Sequence, residues 1–321
     1  EVCLFVYGMY LNKITMAKIL IATEKPFAKV AVDGIKEVAE TAGLEIVLLE
    51  KYTEKAQLLA AVADVEAMII RSDKIDNEVF DAAKNLKIVV RAGAGYDNVD
   101  LAAATAHGVV VMNTPGQNSN AVAELVFGML VFAVRNFYNG KAGTELKGKK
   151  LGILAYGNVG RRVAHIAKGF DMDVYAYDAY CPAAAIESDG VKAVSSQDEL
   201  FEKCEVVSLH IPATAETRQS INYALVGKMP KGGVLVNTAR KEVINEPELL
   251  KLMQDRTDLK YVTDIMPEAD ADFRILEGRY FSTPKKMGAQ TAEANINAGV
   301  AAAHQIAAFF KDGCTKYQVN K

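Results

Sequence analysis

A glycine-bearing turn between two apolar runs, placed in the middle of the chain, constrains the fold more than any other feature. Residues 151–178 read Leu-Gly-Ile-Leu-Ala-Tyr-Gly-Asn-Val-Gly, then a run of helical period, then Val-Tyr-Ala-Tyr-Asp. An apolar strand leads into a turn that opens a helix. The acidic residue that closes the next strand, Asp178, follows after roughly 20 residues. Gly157 and Gly160 hold the second and third glycine positions of a dinucleotide-binding turn, and Ala155 stands at the first. Such a turn lets backbone amides approach a pyrophosphate, and the helix N-terminus adds partial positive charge. Asp178 is spaced to accept from a ribose 2′-hydroxyl. Its carboxylate repels a 2′-phosphate, and Ala179 and Tyr180 supply no cation, so the expected coenzyme is NAD rather than NADP.

About 150 residues precede that turn and must build something else. From Lys18 onward, short β-branched runs alternate with helical periods. Strands are expected at 19–22, 45–49, 67–71, 87–90 and 109–112, with helices at 27–42, 54–63 and 77–83 between them. A second series has strands at 151–156, 174–178, 206–210, 234–238, 261–265 and 280–283. Right-handed βαβ crossovers are nearly obligatory, so the fold class is α/β with two doubly wound parallel sheets, both Rossmann-like. Two long helical segments, 118–137 and 291–310, fall outside the alternation. As bridges they would leave the coenzyme domain (113–290) inserted in a substrate domain (16–112 plus 291–321). Thr291 is the expected N-cap of the last helix and Gly313 its stop. Leu125, Phe127, Leu130 and Phe132 are either core or a subunit interface, which makes a homodimer the expected state. Residues 1–15 are apolar without a basic leader pattern, and Met16-Ala-Lys-Ile-Leu-Ile-Ala reads as a start. The first fifteen residues are therefore expected to be an extension outside the fold.

Composition excludes several classes. Half of the 321 residues are apolar, a quarter are charged, and the net charge is −3. With no basic run, nucleic-acid and membrane-surface binding have no electrostatic support. The four cysteines are scattered and the four histidines lack ligand spacing, so neither a disulfide framework nor a metal site is expected. Both point to a cytoplasmic protein.

In doubly wound sheets the ligand lies at the carboxyl ends of the strands. Those ends carry Arg71-Ser72, Arg91-Ala-Gly-Ala-Gly-Tyr-Asp-Asn98, Thr238-Ala-Arg240, Asp264 to Glu268, and Thr283-Pro-Lys-Lys-Met-Gly-Ala289. Cations and glycine loops in such number suit a small anion with both carboxylate and phosphate.

These segments, together with Asn113-Thr-Pro-Gly, Ala123-Glu124, Ser208-Leu-His-Ile-Pro212 and Gly288-Ala-Gln-Thr-Ala-Glu293, carry a resemblance. From Met16 to Lys321 the chain resembles the D-isomer-specific 2-hydroxyacid dehydrogenases. The regulatory domains that some members append are not expected. The resemblance implies that Arg240 binds the substrate carboxylate and carbonyl oxygen. It implies that the amides of Gly93, Ala94 and Gly95 hold the carboxylate, and that Arg71, Ser72 and Arg91 face the phosphate. It assigns NAD to Gly157, Asn158, Val159, Gly160 and Asp178, with His210 and Pro212 lining the adenosine. Ala239, Asp264 and Gly288 fall at the nicotinamide end, Asp264 facing the carboxamide.

Two departures bear on the chemistry. The family's catalytic histidine is missing from Thr283-Pro-Lys-Lys-Met-Gly288. Counting back from Gly288 puts Lys286 at its position, counting from Pro284 puts Lys285 there, and Lys286 is favoured because the glycine turn fixes the geometry. Some members of the family carry lysine here. The family's glutamate falls at Ala269; Glu268 is one residue short and Asp270 one long, and Glu268 is taken as the carboxylate. A lysine with its ordinary pKa costs about 4–5 kcal/mol to keep neutral at pH 7. Lys286 is thus a ready proton donor for reduction and a base only once deprotonated. The implied reaction is NAD-dependent oxidation of 3-phospho-D-glycerate to 3-phosphohydroxypyruvate and its reverse, the entry to serine biosynthesis. The alternatives are reduction of hydroxypyruvate or glyoxylate, and a catalytically silent NAD-sensing scaffold.

Overall fold

The computed structural model describes residues 16–321; the expected extension at 1–15 lies outside the described residues. The chain divides into two units, one of residues 16–114 with Ile296–Lys321, the other Pro115–Asn295. The sequence-based boundaries stood at 112/113 and 290/291.

The first unit is built on a five-stranded parallel sheet. Its strands are β1 (Lys18–Thr23), β2 (Glu45–Glu50), β3 (Ala67–Ile70), β4 (Ile88–Arg91) and β5 (Val110–Asn113). Their order is β2-β1-β3-β4-β5. β1, β3 and β4 are buried on both faces, so they read as unbroken apolar runs rather than alternating ones. The helix Lys29–Thr41 turns Ala31, Val32, Ile35 and Ala39 to the sheet. It stops at Gly43, whose φ of 69° is left-handed, where the Leu44 amide returns to the Ala39 carbonyl. Ala298, Ala302 and Ile306 of the last helix, Ala292–Asp312, join the same cluster. Thr291 Oγ1 caps that helix by accepting from the Ala294 amide, and Gly313 (φ 65°) ends it.

The second unit carries seven parallel strands: β6 (Lys150–Leu154), β7 (Asp173–Tyr177), β8 (Lys192–Ala193), β9 (Val206–Leu209), β10 (Val234–Asn237), β11 (Lys260–Thr263) and β12 (Tyr280–Ser282). Their order is β12-β11-β10-β9-β6-β7-β8. The order reverses between β6 and β9, and a doubly wound sheet opens a ligand crevice at such a point. β8 and, in the first unit, the helix Leu101–Ala106 are additions to the expected elements, while the short helices Ala183–Glu187, Gln197–Lys203, Tyr223–Val226 and Asp270–Arg274 fill gaps between the strands of the second series. The helix expected over 118–137 is observed as Ser119–Val134. It gives way to three consecutive left-handed residues, Asn136, Phe137 and Tyr138 (φ 51–54°), braced by Lys260, whose ammonium donates to Ala133 O and Asn136 Oδ1. Phe127 and Leu130 lie in this unit's core, while Leu125 and Phe132 are partly buried. Among the described residues no helix is long and apolar enough to cross a membrane.

Candidate active site

The chemistry-bearing loops of the second unit leave the carboxyl ends of its strands. After β6 the chain turns at Ala155, whose φ of 77° is left-handed, and enters the helix Asn158–Gly169 with Gly157 as N-cap. No side chain caps this helix, so its first amides stay open to an anion. A Cβ on Gly160 would strike the Ala155 carbonyl oxygen, which explains glycine there. Asp178 ends β7. Its Oδ2 accepts from the Tyr156 amide at 2.7 Å, and its Oδ1 accepts from the Tyr180 and Cys181 amides at 2.7 and 2.9 Å. The carboxylate thus ties the glycine turn to the loop after β7. After β9, His210 Nε2 pairs with Ser208 Oγ at 2.9 Å, and burial holds the imidazole down at about 3, neutral across the working range. Pro212 follows, exposed, its carbonyl accepting from Thr217 Oγ1.

The loop after β10 is organised by the fully buried Asn237. Its Oδ1 accepts from the Ala239 amide at 2.9 Å and its Nδ2 donates to the Arg240 carbonyl at 3.1 Å. Two cations converge on one acceptor here. Arg240 Nη1 donates to the Ala239 carbonyl at 2.9 Å and Lys286 Nζ donates to it at 2.7 Å. Lys286 reaches it because Thr283 Oγ1 closes a tight turn on the Lys285 carbonyl. The stem of Lys286 is exposed, but its ammonium end is turned in, and desolvation there is the largest influence lowering its pKa. Arg240 lowers it too, while Asp264 and Glu242 pull it back up.

Asp264, after β11, is fully buried. Its Oδ2 accepts from the Gly288 amide at 2.7 Å and from Met287 at 3.2 Å, whereas its Oδ1 has no partner among the described residues. A Cβ on Gly288 would sit 2.9 Å from Asp264 Oδ2 and 3.1 Å from Val122 Cγ2, so only glycine lets the loop close on the carboxylate. A buried carboxylate oxygen without a donor is costly unless a ligand amide completes it. That bare oxygen, the uncapped helix and the two glycine contacts fit a dinucleotide with a carboxamide at one end and phosphates in the middle.

The structure does not bring Glu268 to Lys286. Glu268 is 80 % exposed and pairs with Lys241 at 2.9 Å, which lowers its pKa. Asp270 is occupied by Tyr280 and Arg274. The acids that act on Lys286 are Asp264 and Glu242. Glu242 lies in a three-residue turn just after Arg240 and had no sequence signal.

In the first unit, Arg71 Nη1 donates to the Lys25 and Pro26 carbonyls at 3.1 Å, its guanidinium lies 5.2 Å from the centre of the Phe27 ring, and burial lowers its pKa. Arg91 Nε donates to the Arg71 carbonyl at 3.0 Å, and its guanidinium occupies the space a Cβ on Gly93 (φ 148°) would need. Asn98 Nδ2 donates to the Arg71 and Asp73 carbonyls. Asp73, buried, accepts from the Glu24 amide and the Tyr52 hydroxyl on Oδ1 and from the Arg71 amide on Oδ2. The Ala94 carbonyl accepts from Asn113 Nδ2, and Ser72 is exposed. Asp73 and Asn98 are braces that sequence reasoning did not single out.

Known proteins match this arrangement. Residues 128–280 match the family model described as D-isomer specific 2-hydroxyacid dehydrogenase, NAD binding domain. A solved structure described as cofactor (NAD+)-bound 3-phosphoglycerate dehydrogenase from Entamoeba histolytica is 48 % identical, with a TM-score of 0.84 over 95 % of this chain and 99 % of that one. A hydroxypyruvate reductase from Thermotoga maritima is 34 % identical over 284 residues, 82 % of this chain and 90 % of that protein. A D-3-phosphoglycerate dehydrogenase from Methanocaldococcus jannaschii is 33 % identical over 291 residues, 85 % of this chain but 55 % of that protein. The chain thus spans about half the length of several curated relatives it matches. Its second unit carries the NAD-binding domain, and the chain belongs to the D-isomer specific 2-hydroxyacid dehydrogenase family.

Proposed function

We propose that the protein interconverts 3-phospho-D-glycerate and 3-phosphohydroxypyruvate, a step that feeds serine synthesis. The observation that carries this reading is the pair of cations on the Ala239 carbonyl, Arg240 and Lys286, beside the buried Asp264. NAD, when bound, supplies the hydride acceptor for oxidation and the donor for reduction. Arg240 grips the substrate carboxylate and the oxygen on C2. Lys286 Nζ takes the hydroxyl proton in oxidation and returns it in reduction. Asp264 Oδ1 accepts from the carboxamide, and Asp178 with the amides of Asn158 and Val159 holds the ribose and pyrophosphate. Within the first unit, the amides of Gly93 to Gly95 are the proposed anion donors and Arg71, Ser72 and Arg91 the proposed phosphate readers. Support for that phosphate comes from the 48 % identical phosphoglycerate dehydrogenase and from two guanidiniums set in one loop cluster. The Thermotoga relative favours a second reading, hydroxypyruvate reduction.

NADH oxidation decides between them. Catalytic efficiency at least about tenfold higher with 3-phosphohydroxypyruvate than with hydroxypyruvate or glyoxylate is expected; equal efficiencies would move the assignment to the second reading. We further read the protein as cytoplasmic, Cys181, Cys204 and Cys314 being free among the described residues, and as a homodimer. The surface suited to the dimer is the aromatic cluster of Phe132, Phe137 and Tyr138, with Tyr138 66 % exposed. Light scattering should return twice the chain mass, and Tyr138→Asp should halve it.

A further inference from the structure

The Asp178 turn has a cationic neighbour that sequence spacing does not reveal. Arg161, in the helix Asn158–Gly169, has Nη2 3.6 Å from Cys181 Sγ, and the Cys181 amide donates to Asp178 Oδ1. Its guanidinium also lies 4.8 Å from the centre of the Tyr156 ring, and the Tyr156 amide donates to Asp178 Oδ2. Arg161 therefore borders the ribose-reading carboxylate by two routes, each one residue long. Asp189 holds it in place: its Oδ2 accepts from Arg161 Nη1 and, at 3.1 Å, from the Tyr156 hydroxyl. A cavity of about 390 Å³, lined by Tyr156, Arg161, His165 and Asp189 among others, adjoins the guanidinium.

We propose that Asp189 adds to the coenzyme choice that Asp178 makes: it engages Arg161, the guanidinium that borders that turn through Cys181 and Tyr156, and so withholds a cation that could meet a 2′-phosphate. The inference rests on reading the turn as the coenzyme's ribose site. With both carboxylates neutralised, Arg161 is released beside a ribose position that no longer repels phosphate. A guanidinium paired with the 2′-phosphate is how such sites accept NADP.

Calorimetric titration of NAD+ and NADP+ into the purified chain tests this without reliance on turnover. Wild type should bind NAD+ and bind NADP+ at least about 100-fold more weakly. Asp189→Asn, which leaves Tyr156 an acceptor, should alter NAD+ affinity by less than about twofold. Asp178→Asn with Asp189→Asn should bind NADP+ about tenfold more tightly than Asp178→Asn alone, the scale of one charge-assisted hydrogen bond. Adding Arg161→Gln should erase that gain. Should Asp178→Asn fail to fold, Asp178→Ser serves the same comparison. Equal NADP+ affinity of the single and double variants, or a gain that survives Arg161→Gln, overturns the proposal. A wild-type chain that binds no NAD+ overturns the coenzyme reading, and this proposal with it.

Discussion

Among the described residues each unit buries one carboxylate at the carboxyl end of its sheet, and the two are finished differently. Asp73 receives three protein donors and has both oxygens engaged. Asp264 receives two donors on one oxygen and none on the other. A carboxylate that is fully satisfied by its own chain holds a shape. One left half satisfied in a buried site has an acceptor open to a ligand donor, which would offset the cost of leaving that oxygen unpaired. The same contrast separates the cations. Arg71 and Arg91 are strapped to backbone carbonyls around Asp73, whereas Arg240 and Lys286 share the Ala239 carbonyl. The first arrangement fixes the guanidiniums in place, and the second concentrates positive charge where the proposed reaction moves a proton.

Removing the proton carrier has the largest expected effect. Lys286→Ala should lower kcat at least about 100-fold, the low end of general acid–base contributions, while Lys285→Ala should stay within about threefold. The pH dependence follows from the sign of the shift. Desolvation and Arg240 lower the Lys286 pKa below its ordinary 10.5, so the neutral amine needed for oxidation appears at a lower pH than in water. Oxidation should climb through one ionisation with a midpoint below 10.5, and reduction should fall over the same range. His210 takes no part, since its imidazole stays neutral above about 3. An oxidation rate flat between pH 6.5 and 10 would remove Lys286 from the role.

The two carboxylates break apart next. Asp73→Asn should cost about 2 kcal/mol of stability, because an amide cannot accept from all three donors, and leave NAD affinity unchanged. Asp264→Asn should do the reverse: little change in melting of the ligand-free chain, but about tenfold weaker NAD binding. If both variants lost stability alike, the open acceptor on Asp264 would be an ordinary packing feature. Gly93→Ala probes the strapped cations. A methyl at this position, where φ is 148°, displaces the Arg91 guanidinium. KM for the phosphorylated acid should rise about tenfold, with hydroxypyruvate turnover changed less than threefold.

Much of this was legible because parallel strands buried on both faces write themselves as continuous apolar runs. β3, β9 and β10 fall within one or two residues of the expected positions for that reason. Short helices such as Tyr223–Val226 and Gln197–Lys203 carry too few turns to show a period, so the sequence sets no bounds for them, although the six-residue Asn77–Ala82 falls at its expected place, 77–83. At the site, strand ends locate Arg240, Asp264 and the 283–288 loop, since a doubly wound sheet gathers its ligand groups there. What cannot be read is which groups meet across loops. Lys286 faces Glu242 and Asp264, while Glu268, the neighbour suggested by counting, pairs with Lys241 instead. Asn237 and Asp73 brace loops by contacts to backbone, and such contacts leave no spacing in the sequence.

The smallest expected effect concerns the coenzyme turn itself. Ala155 holds φ at 77°, a conformation that costs a residue with a Cβ about 1–2 kcal/mol and glycine nothing. Ala155→Gly removes that strain but gives the unfolded chain more freedom, a loss of roughly 0.5–1 kcal/mol. The balance lies between zero and a gain of about 1.5 kcal/mol, which for a unit of this size raises the melting temperature by up to about 3–6 °C. Gly160→Ala, a single methyl at the other end of the same turn, should act in the opposite sense, because its Cβ strikes the Ala155 carbonyl oxygen and must push the helix away from the strand. The pair therefore separates torsional strain, which glycine relieves, from close approach, which glycine permits. A melting temperature that falls in Ala155→Gly would mean that the methyl group contributes contacts worth more than the strain it imposes.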